Sequence, residues 1–398
     1  MLSHEQTSSL TSNQQLDTYP WLSQRAWVEI NLSALSYNVK QLLKILSPYT
    51  QLMAVVKADA YGHGAVTVAQ TVLESGASWL GVATVPEGIQ LREAGMKAPI
   101  LILGATHTPE QIHAIAKWKL QPTLICPKQA LVFSNTLETI NTETSLPVHV
   151  KLDTGMSRLG TNWREAAEFV QLVQRLPHLT IASIYSHLAT ADSLDRTVMI
   201  QQQQRFEQAI AQLKTIGIQP PCLHLANSAA TLTDKALHYD IVRVGLAIHG
   251  LYPAEHLRSS IDLKPVLQVK ARVTQVKTIA SGTGVSYSHQ FVASDELRLA
   301  VVGIGYADGV PRNLSNKMQV LIRGQRVPQI GTITMDQLML DVSALPDVQE
   351  GEVVTLLGTQ GKEEITAEDW ANQLNTISWE ILCGFKHRLP RVAVFSQS

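Results

Sequence analysis

The sequence predicts an α/β protein: an N-terminal (β/α)8 TIM-like barrel followed by a mostly β C-terminal domain. Three observations carry that expectation. From residue 26 to about residue 263, short apolar runs alternate with amphipathic segments every roughly 25–35 residues, the rhythm of parallel strands joined by crossover helices. Beyond that point the pattern changes to short strand-like runs separated by Gly-containing turns. No G-x-G-x-x-G opens the first helix, which counts against an open dinucleotide-binding sheet.

The first two dozen residues are polar and lack an apolar stretch of signal-peptide length, so residues 1–25 are expected to form a disordered leader. The expected barrel occupies 26–264. Its strands are the runs at 52–56, 79–82, 100–103, 122–125, 148–152, 181–185, 222–225 and 241–244, which are mostly apolar, as strands buried on both faces should be. Helical patterns at 32–45, 64–75, 86–94, 109–117, 163–176 and 195–216 fall between them. Eight or so such units in about 240 residues suit a closed barrel. In the expected β domain, 265–398, strands read at 266–277, 297–304, 318–322, 327–330, 338–342 and 353–357. One helix is expected at 367–374, with Thr366 as its N-cap.

The chain has 398 residues with a formal net charge of -1, so no basic excess draws it to nucleic acid or an anionic membrane. Only 16% of residues are charged, which fits a chain that covers surface with a partner. Cys126, Cys222 and Cys383 are too few and too scattered for a disulfide framework or a metal site, and a reducing cytoplasm is the expected compartment. No uncharged run reaches membrane-spanning length.

The chemistry-bearing residues fall at expected strand ends, where an α/β barrel keeps its site. Lys57 follows the apolar run Ala54-Val55-Val56 and opens a turn rich in Gly, His and Tyr. Partial desolvation there favours a neutral amine, suited to a Schiff base with an aldehyde cofactor such as pyridoxal phosphate. Taken alone, such a lysine is more often a surface residue with its stem laid on apolar neighbours. Arg158 lies just beyond Asp153-Thr154-Gly155, where a guanidinium can grip a carboxylate with two hydrogen bonds or pair with a nearby acid. His187 follows the run ending at Tyr185 and reads as a hydrogen-bonding support. The Asn227-Ser228 pair suits either a phosphate or an ordinary helix cap. Arg243 stands inside an apolar strand and must be paired there, and Gly245 after it lets backbone approach an anion. In the β domain, Tyr287 ends Gly284-Val285-Ser286-Tyr287, while Tyr306 and Met335 sit in glycine-flanked loops.

Together VVKADAYGHG, KLDTGMSRLG, HLANSAA, VRVGLAIHG, GVSY, IGYADG and IGTITMDQ resemble the alanine racemase family, in order and over about residues 25 to 395. The resemblance implies a pyridoxal-phosphate enzyme that interconverts L- and D-alanine and so supplies D-alanine for peptidoglycan. It implies that Lys57 binds the cofactor covalently and is the base for the D-alanine Cα–H, with Tyr287 the base on the opposite face. Arg158 would hold the substrate carboxylate with the backbone N–H of Met335, and Tyr306 would line the substrate pocket. Arg243 would face the pyridine nitrogen and His187 would support it. Tyr61, Ser228, Gly245 and Leu246 match the phosphate site. Lys151 matches a lysine that is often carbamylated. The resemblance further implies a homodimer whose β domains complete each other's sites. One departure is His387, which stands where the family often has a phosphate-binding tyrosine. The alternatives are a racemase preferring serine or of broad range, a decarboxylase of the same barrel type, or a non-catalytic barrel that carries the cofactor.

Overall fold

The computed structural model describes residues 25–140 and 145–395, so the expectation for the leader lies almost wholly outside the described residues. The chain divides into two compact units, one of 34–60 and 64–264, the other of 25–33, 61–63 and the segment from Pro265 onward.

The first unit is a nearly closed parallel barrel. Its strands run in the order Ile241–Val244, Gln51–Val55, Trp79–Val82, Ile100–Ile102, Gln121–Leu124, Leu146–Asp153, Leu179–Tyr185 and Leu223–His224. Each neighbouring pair is parallel, as in Met53 opposite Trp79 and Lys151 opposite Tyr185. Between the last strand, Leu223–His224, and Ile241–Val244 the ladder stops. Single bonds from Asp240 N–H to Leu223 C=O (3.0 Å) and from Arg243 N–H to Ala226 C=O (3.0 Å) bridge that seam.

Helices cover the strands. Val85–Glu93 and Pro109–Lys117 each begin with a threonine capping box, Thr84 with Glu87 and Thr108 with Gln111, followed by proline in the first turn. The helix Pro127–Thr139 is not among the helical patterns read from the sequence, because Gln129 and Ser134 lie on its buried side and interrupt the apolar stripe. Gln129 Nε2 donates to Thr106 C=O and Thr123 C=O, which satisfies the buried amide.

The second unit is a nine-stranded sheet with the order Glu363–Ile365, Val353–Gln360, Gln319–Ile322, Gln325–Ile330, Leu338–Asp341, Leu297–Val302, Leu267–Ile279, Ala26–Asn31 and Arg391–Val394. The first half of the long strand Leu267–Ile279 alternates buried and half-buried residues, the signature of one packed face. It pairs with Val353–Gln360 through that half and with Leu297–Val302 through the other.

One boundary is corrected. The sequence starts the barrel at residue 26, but Ala26–Asn31 pairs antiparallel with Leu267–Ile279 and parallel with Arg391–Val394. A short apolar strand carries no local mark of its partner, so this register was invisible in the sequence.

Lys57 opens a helical turn, Lys57–Gly62, of left-handed sense. Ala58, Asp59, Ala60 and Tyr61 have φ between 51° and 55°, and Gly62 follows at 83°. Such backbone costs about 1–2 kcal/mol per residue without glycine. Surrounding bonds offset it: Ala58 N–H donates to Glu87 Oε1 (2.8 Å), Ala65 N–H to Asp59 Oδ1 (2.7 Å) and Gly64 N–H to Asp59 C=O (2.9 Å). At Gly62 a Cβ would lie 2.5 Å from Leu382 C=O, so only glycine fits.

Candidate active site

The barrel strands end in a cluster of cations. Lys57 is half-buried two residues past the strand end at Val55, and Lys151 is buried inside Leu146–Asp153. Arg243 is buried in Ile241–Val244, and Arg158 is exposed on the loop after Asp153. They sense one another. Burial first, then Arg243, Arg158 and Lys57, pull the Lys151 ammonium down to about 8, against a small opposing pull from Asp153. The same four cations, after burial, hold His187 neutral, well below the usual imidazole range.

Arg243 is 4% exposed and binds no carboxylate among the described residues. Neutral acceptors satisfy it instead. Nη2 donates to Ser186 C=O (2.7 Å), Leu225 C=O (3.0 Å) and His187 Nδ1 (3.2 Å), while Nη1 donates to His224 Nδ1 (3.0 Å). Its guanidinium carbon lies 5.1 Å from the Tyr185 ring centroid. The pairing demanded by its burial is therefore real, but it is made by carbonyls and imidazoles and not by an acid. Burial pulls the group down to about 10, so it stays charged at neutral pH.

Arg158 makes no hydrogen bond or ion pair among the described residues, which removes the alternative of a structural ion pair there. Asp153 Oδ1 accepts Gly155 N–H (2.9 Å) and Ser157 N–H (3.1 Å), and so shapes the loop that presents the guanidinium.

At the last strand ends, Asn227 is the helix cap, its Oδ1 accepting Ala230 N–H at 3.0 Å. Ser228 is thus left for another role. Its Oγ accepts Gly245 N–H (3.2 Å) and Ala247 N–H (3.4 Å), which leaves its hydroxyl proton free to donate. The Leu246 N–H between those two has no acceptor among the described residues. A hydroxyl, an unclaimed N–H and an excess of cations fit a phosphate, and a half-buried primary amine fits an aldehyde.

The β unit gathers the other candidates. Tyr287 is 69% exposed, on a turn whose neighbours Ser286 and Ser288 have φ of 63° and 62°. Its carbonyl accepts the Thr332 hydroxyl at 2.9 Å. Tyr306 N–H donates to Thr334 C=O and Ala307 N–H to Met335 C=O, both at 3.0 Å, so the two glycine-flanked loops are stitched together. Tyr287 lines a cleft of about 990 Å³ with Ser286, His289, Thr334 and Gln337. Tyr61 lies in the left-handed turn, its phenol pushed up to about 12 by burial. His387 is exposed in a turn near the C-terminus.

Residues 30–253 match the model of the alanine racemase N-terminal domain, and 266–393 that of the C-terminal domain. The chain belongs to the alanine racemase family. An alanine racemase of a Nostoc species is 77% identical over 97% of this chain and all of its own length. That of a Synechocystis species is 62% identical over 94% of this chain and all of its own. Among solved structures, the Bacillus anthracis alanine racemase with bound L-Ala-P is 35% identical, with a TM-score of 0.88, over 93% of this chain and 95% of that one. Enzymes of this family are pyridoxal-phosphate-dependent isomerases.

Several polar side chains of the barrel interior, His149, Ser183 and Gln121 among them, received no role from the sequence. A signal was present. His149 and Lys151, and likewise Ser183 and Tyr185, stand two apart on buried strands, the spacing that turns both side chains to one side of the sheet. Among the described residues no group of three or more His, Cys, Asp or Glu could hold a metal ion, and no helix is long and apolar enough to cross a membrane.

Proposed function

We propose that the chain interconverts L- and D-alanine with pyridoxal phosphate, as a cytoplasmic homodimer that supplies D-alanine for peptidoglycan. The observation that carries this reading is the barrel mouth itself: the amines of Lys57 and Lys151 and the guanidiniums of Arg158 and Arg243 lie close enough to act together on His187, in a member of this family.

Bound there, pyridoxal phosphate would supply the electron sink that makes the Cα–H of an amino acid acidic enough to lose its proton. Lys57 holds the cofactor and moves the Cα proton of the D-enantiomer at its Nζ. Tyr287 of the partner subunit moves the proton of the L-enantiomer at its hydroxyl, from the opposite face. One base on each face lets the proton leave on one side and return on the other. Arg158 takes the substrate carboxylate with two hydrogen bonds, helped by the N–H of Met335 of the partner subunit, and Tyr306 of the partner subunit bounds the substrate pocket. Tyr61, Ser228, Gly245 and Leu246 hold the phosphate. Arg243, charged and supported by neutral His187, would offer a cation to the cofactor's ring nitrogen and so disfavour its protonation.

The exposure of Tyr287, Tyr306 and Met335 supports completion by a second subunit: all three are at least 42% exposed. The lowered Lys151 amine supports carbamylation, since the neutral form is the one that attacks carbon dioxide. The carbamate would give Arg158 the anion it lacks.

The test is turnover of a panel of L-amino acids by the purified protein with pyridoxal phosphate, followed as D-enantiomer formed. D-alanine should accumulate fastest. A faster rate with serine would shift the preference, and cofactor binding without turnover of any amino acid would overturn the enzymatic reading.

A further inference from the structure

A line of hydrogen bonds leaves Arg243 and crosses the barrel interior. Arg243 Nη1 meets His224 Nδ1 (3.0 Å), His224 Nε2 meets Ser183 Oγ (2.7 Å), Ser183 Oγ meets His149 Nδ1 (2.5 Å), and His149 Nε2 meets Gln121 Oε1 (2.7 Å). His224 and His149 are fully buried and Ser183 is 1% exposed. No water or carboxylate is needed at any link.

The direction of this line is fixed by chemistry. An arginine can only donate, so His224 Nδ1 must accept. The proton of neutral His224 then sits on Nε2 and is donated to Ser183. With its oxygen accepting that bond, Ser183 gives its own proton to His149 Nδ1. His149 in turn carries its proton on Nε2, and Gln121 receives it through the carbonyl oxygen of its amide. Reversing any one member sets two donors or two acceptors against each other somewhere along the line. Burial keeps both imidazoles neutral, His149 pushed down to about 3 and His224 well below its usual range, so neither can escape by adding a proton. Tyr185 locks the ring of His224 in place, stacked at 4.6 Å between centroids and 6° between planes. The Tyr185 hydroxyl meets Thr123 Oγ1 (2.7 Å), which donates onward to Ile102 C=O.

We propose that Ser183 and His149 are positioning residues for Arg243: they hold His224 in the Nε2–H tautomer, so that its Nδ1 always presents a lone pair to the guanidinium. They touch neither substrate nor cofactor and act through His224. The inference rests on the reading above in one respect, that Arg243 faces the cofactor ring. Without the line, His224 can turn its N–H toward Arg243. The guanidinium then loses the acceptor on Nη1 and its plane is free to shift about the bonds made by Nη2.

The test begins with nitrogen NMR of the wild-type protein labelled with 15N-histidine, without cofactor. His224 and His149 should each show a protonated Nε2 and an unprotonated Nδ1. A protonated Nδ1 on His224, or a charged ring, overturns the proposal whatever any variant does. In Ser183→Ala the His224 signal should change toward mixed tautomers, while Ser183→Thr, which keeps the hydroxyl, should preserve it. With pyridoxal phosphate bound, Ser183→Ala should lower kcat by about three- to tenfold, the worth of one neutral hydrogen bond, and leave KM for alanine within twofold. The absorption maximum of the bound cofactor should move in Ser183→Ala and not in Ser183→Thr. An unchanged tautomer together with unchanged kcat in Ser183→Ala sinks the proposal. Absence of turnover in the wild type would instead strike the functional reading and leave the tautomer result standing.

Discussion

Lys151 and Arg243 lean on the same aromatic ring: Lys151 Nζ lies 5.5 Å and the Arg243 guanidinium carbon 5.1 Å from the centroid of Tyr185. One buried ring thus faces two cations that repel each other. Arg243 is anchored by four hydrogen bonds from a guanidinium that keeps its charge, so the strain falls on Lys151, the group that can shed its proton.

Lys151 should therefore destabilise the cofactor-free protein in carbon dioxide-depleted buffer. Its ammonium titrates at about 8 in the folded state against 10.5 in the ordinary one. The unfolded chain binds more protons between those values, so stability rises with pH across that window. Lys151→Met is expected to stabilise the apo-protein at pH 7 by on the order of 3 kcal/mol, with the gain fading above pH 8 and gone near pH 10.5. Thermal melts of both proteins from pH 7 to 10.5 check this, and a difference that ignores pH removes burial as the cause.

Carbamylation makes a separate prediction. Wild-type protein in 13C-bicarbonate should show a carbamate carbon by NMR that is absent in Lys151→Met. No such signal in the wild type would leave Lys151 as a free amine.

Tyr287→Phe should abolish solvent-deuterium exchange at the Cα of L-alanine, while exchange from D-alanine through Lys57 partly survives. Equal loss from both enantiomers rejects the two-base assignment. Mixing Tyr287→Phe with Lys57→Ala, each inactive in racemisation, should restore activity if Tyr287 serves the partner subunit. The mixed dimer then contains one site with both bases intact.

Arg158→Lys should separate binding from folding. The guanidinium has no partner among the described residues, so the melting temperature should hardly change. KM for alanine should rise by about ten- to a hundredfold as the two-pronged grip is lost. A marked loss of stability instead would assign Arg158 a structural bond.

Gly62→Ala should do the reverse. The φ of 83° and a Cβ 2.5 Å from Leu382 C=O force the backbone to shift, and a cost of about 2 kcal/mol or more is expected in chemical denaturation. A variant as stable as the wild type would show that the turn relaxes freely.

Much of the fold was legible because periodicity reports burial. The strands Trp79–Val82 and Ile241–Val244 and the helix Pro109–Lys117 fall where their apolar patterns put them. What stayed hidden depends on tertiary choices. Ala26–Asn31 looks like any buried strand, and only its partners reveal that it belongs to the β sheet. The left-handed turn at Ala58–Tyr61 has no Gly or Asn before Gly62 to announce it; bonds from Glu87 and Asp59 hold a conformation that local preference opposes. Of the candidate site, the motif residues stood at strand ends and could be named one by one. The protonation partners of Arg243 could not, because His224, Ser183 and His149 lie on three strands and meet only in the closed barrel.

The unfinished seam of the barrel has a meaning of its own. Leu223–His224 is a two-residue strand, and the carbonyl of Leu225 just past it points to Arg243 rather than into a ladder. A more regular barrel would zip this edge shut, and every carbonyl there would already be engaged. An engineer who perfected the sheet for stability would thereby evict the arginine. The gap is the berth that lets a permanent positive charge live inside the barrel with no carboxylate beside it among the described residues.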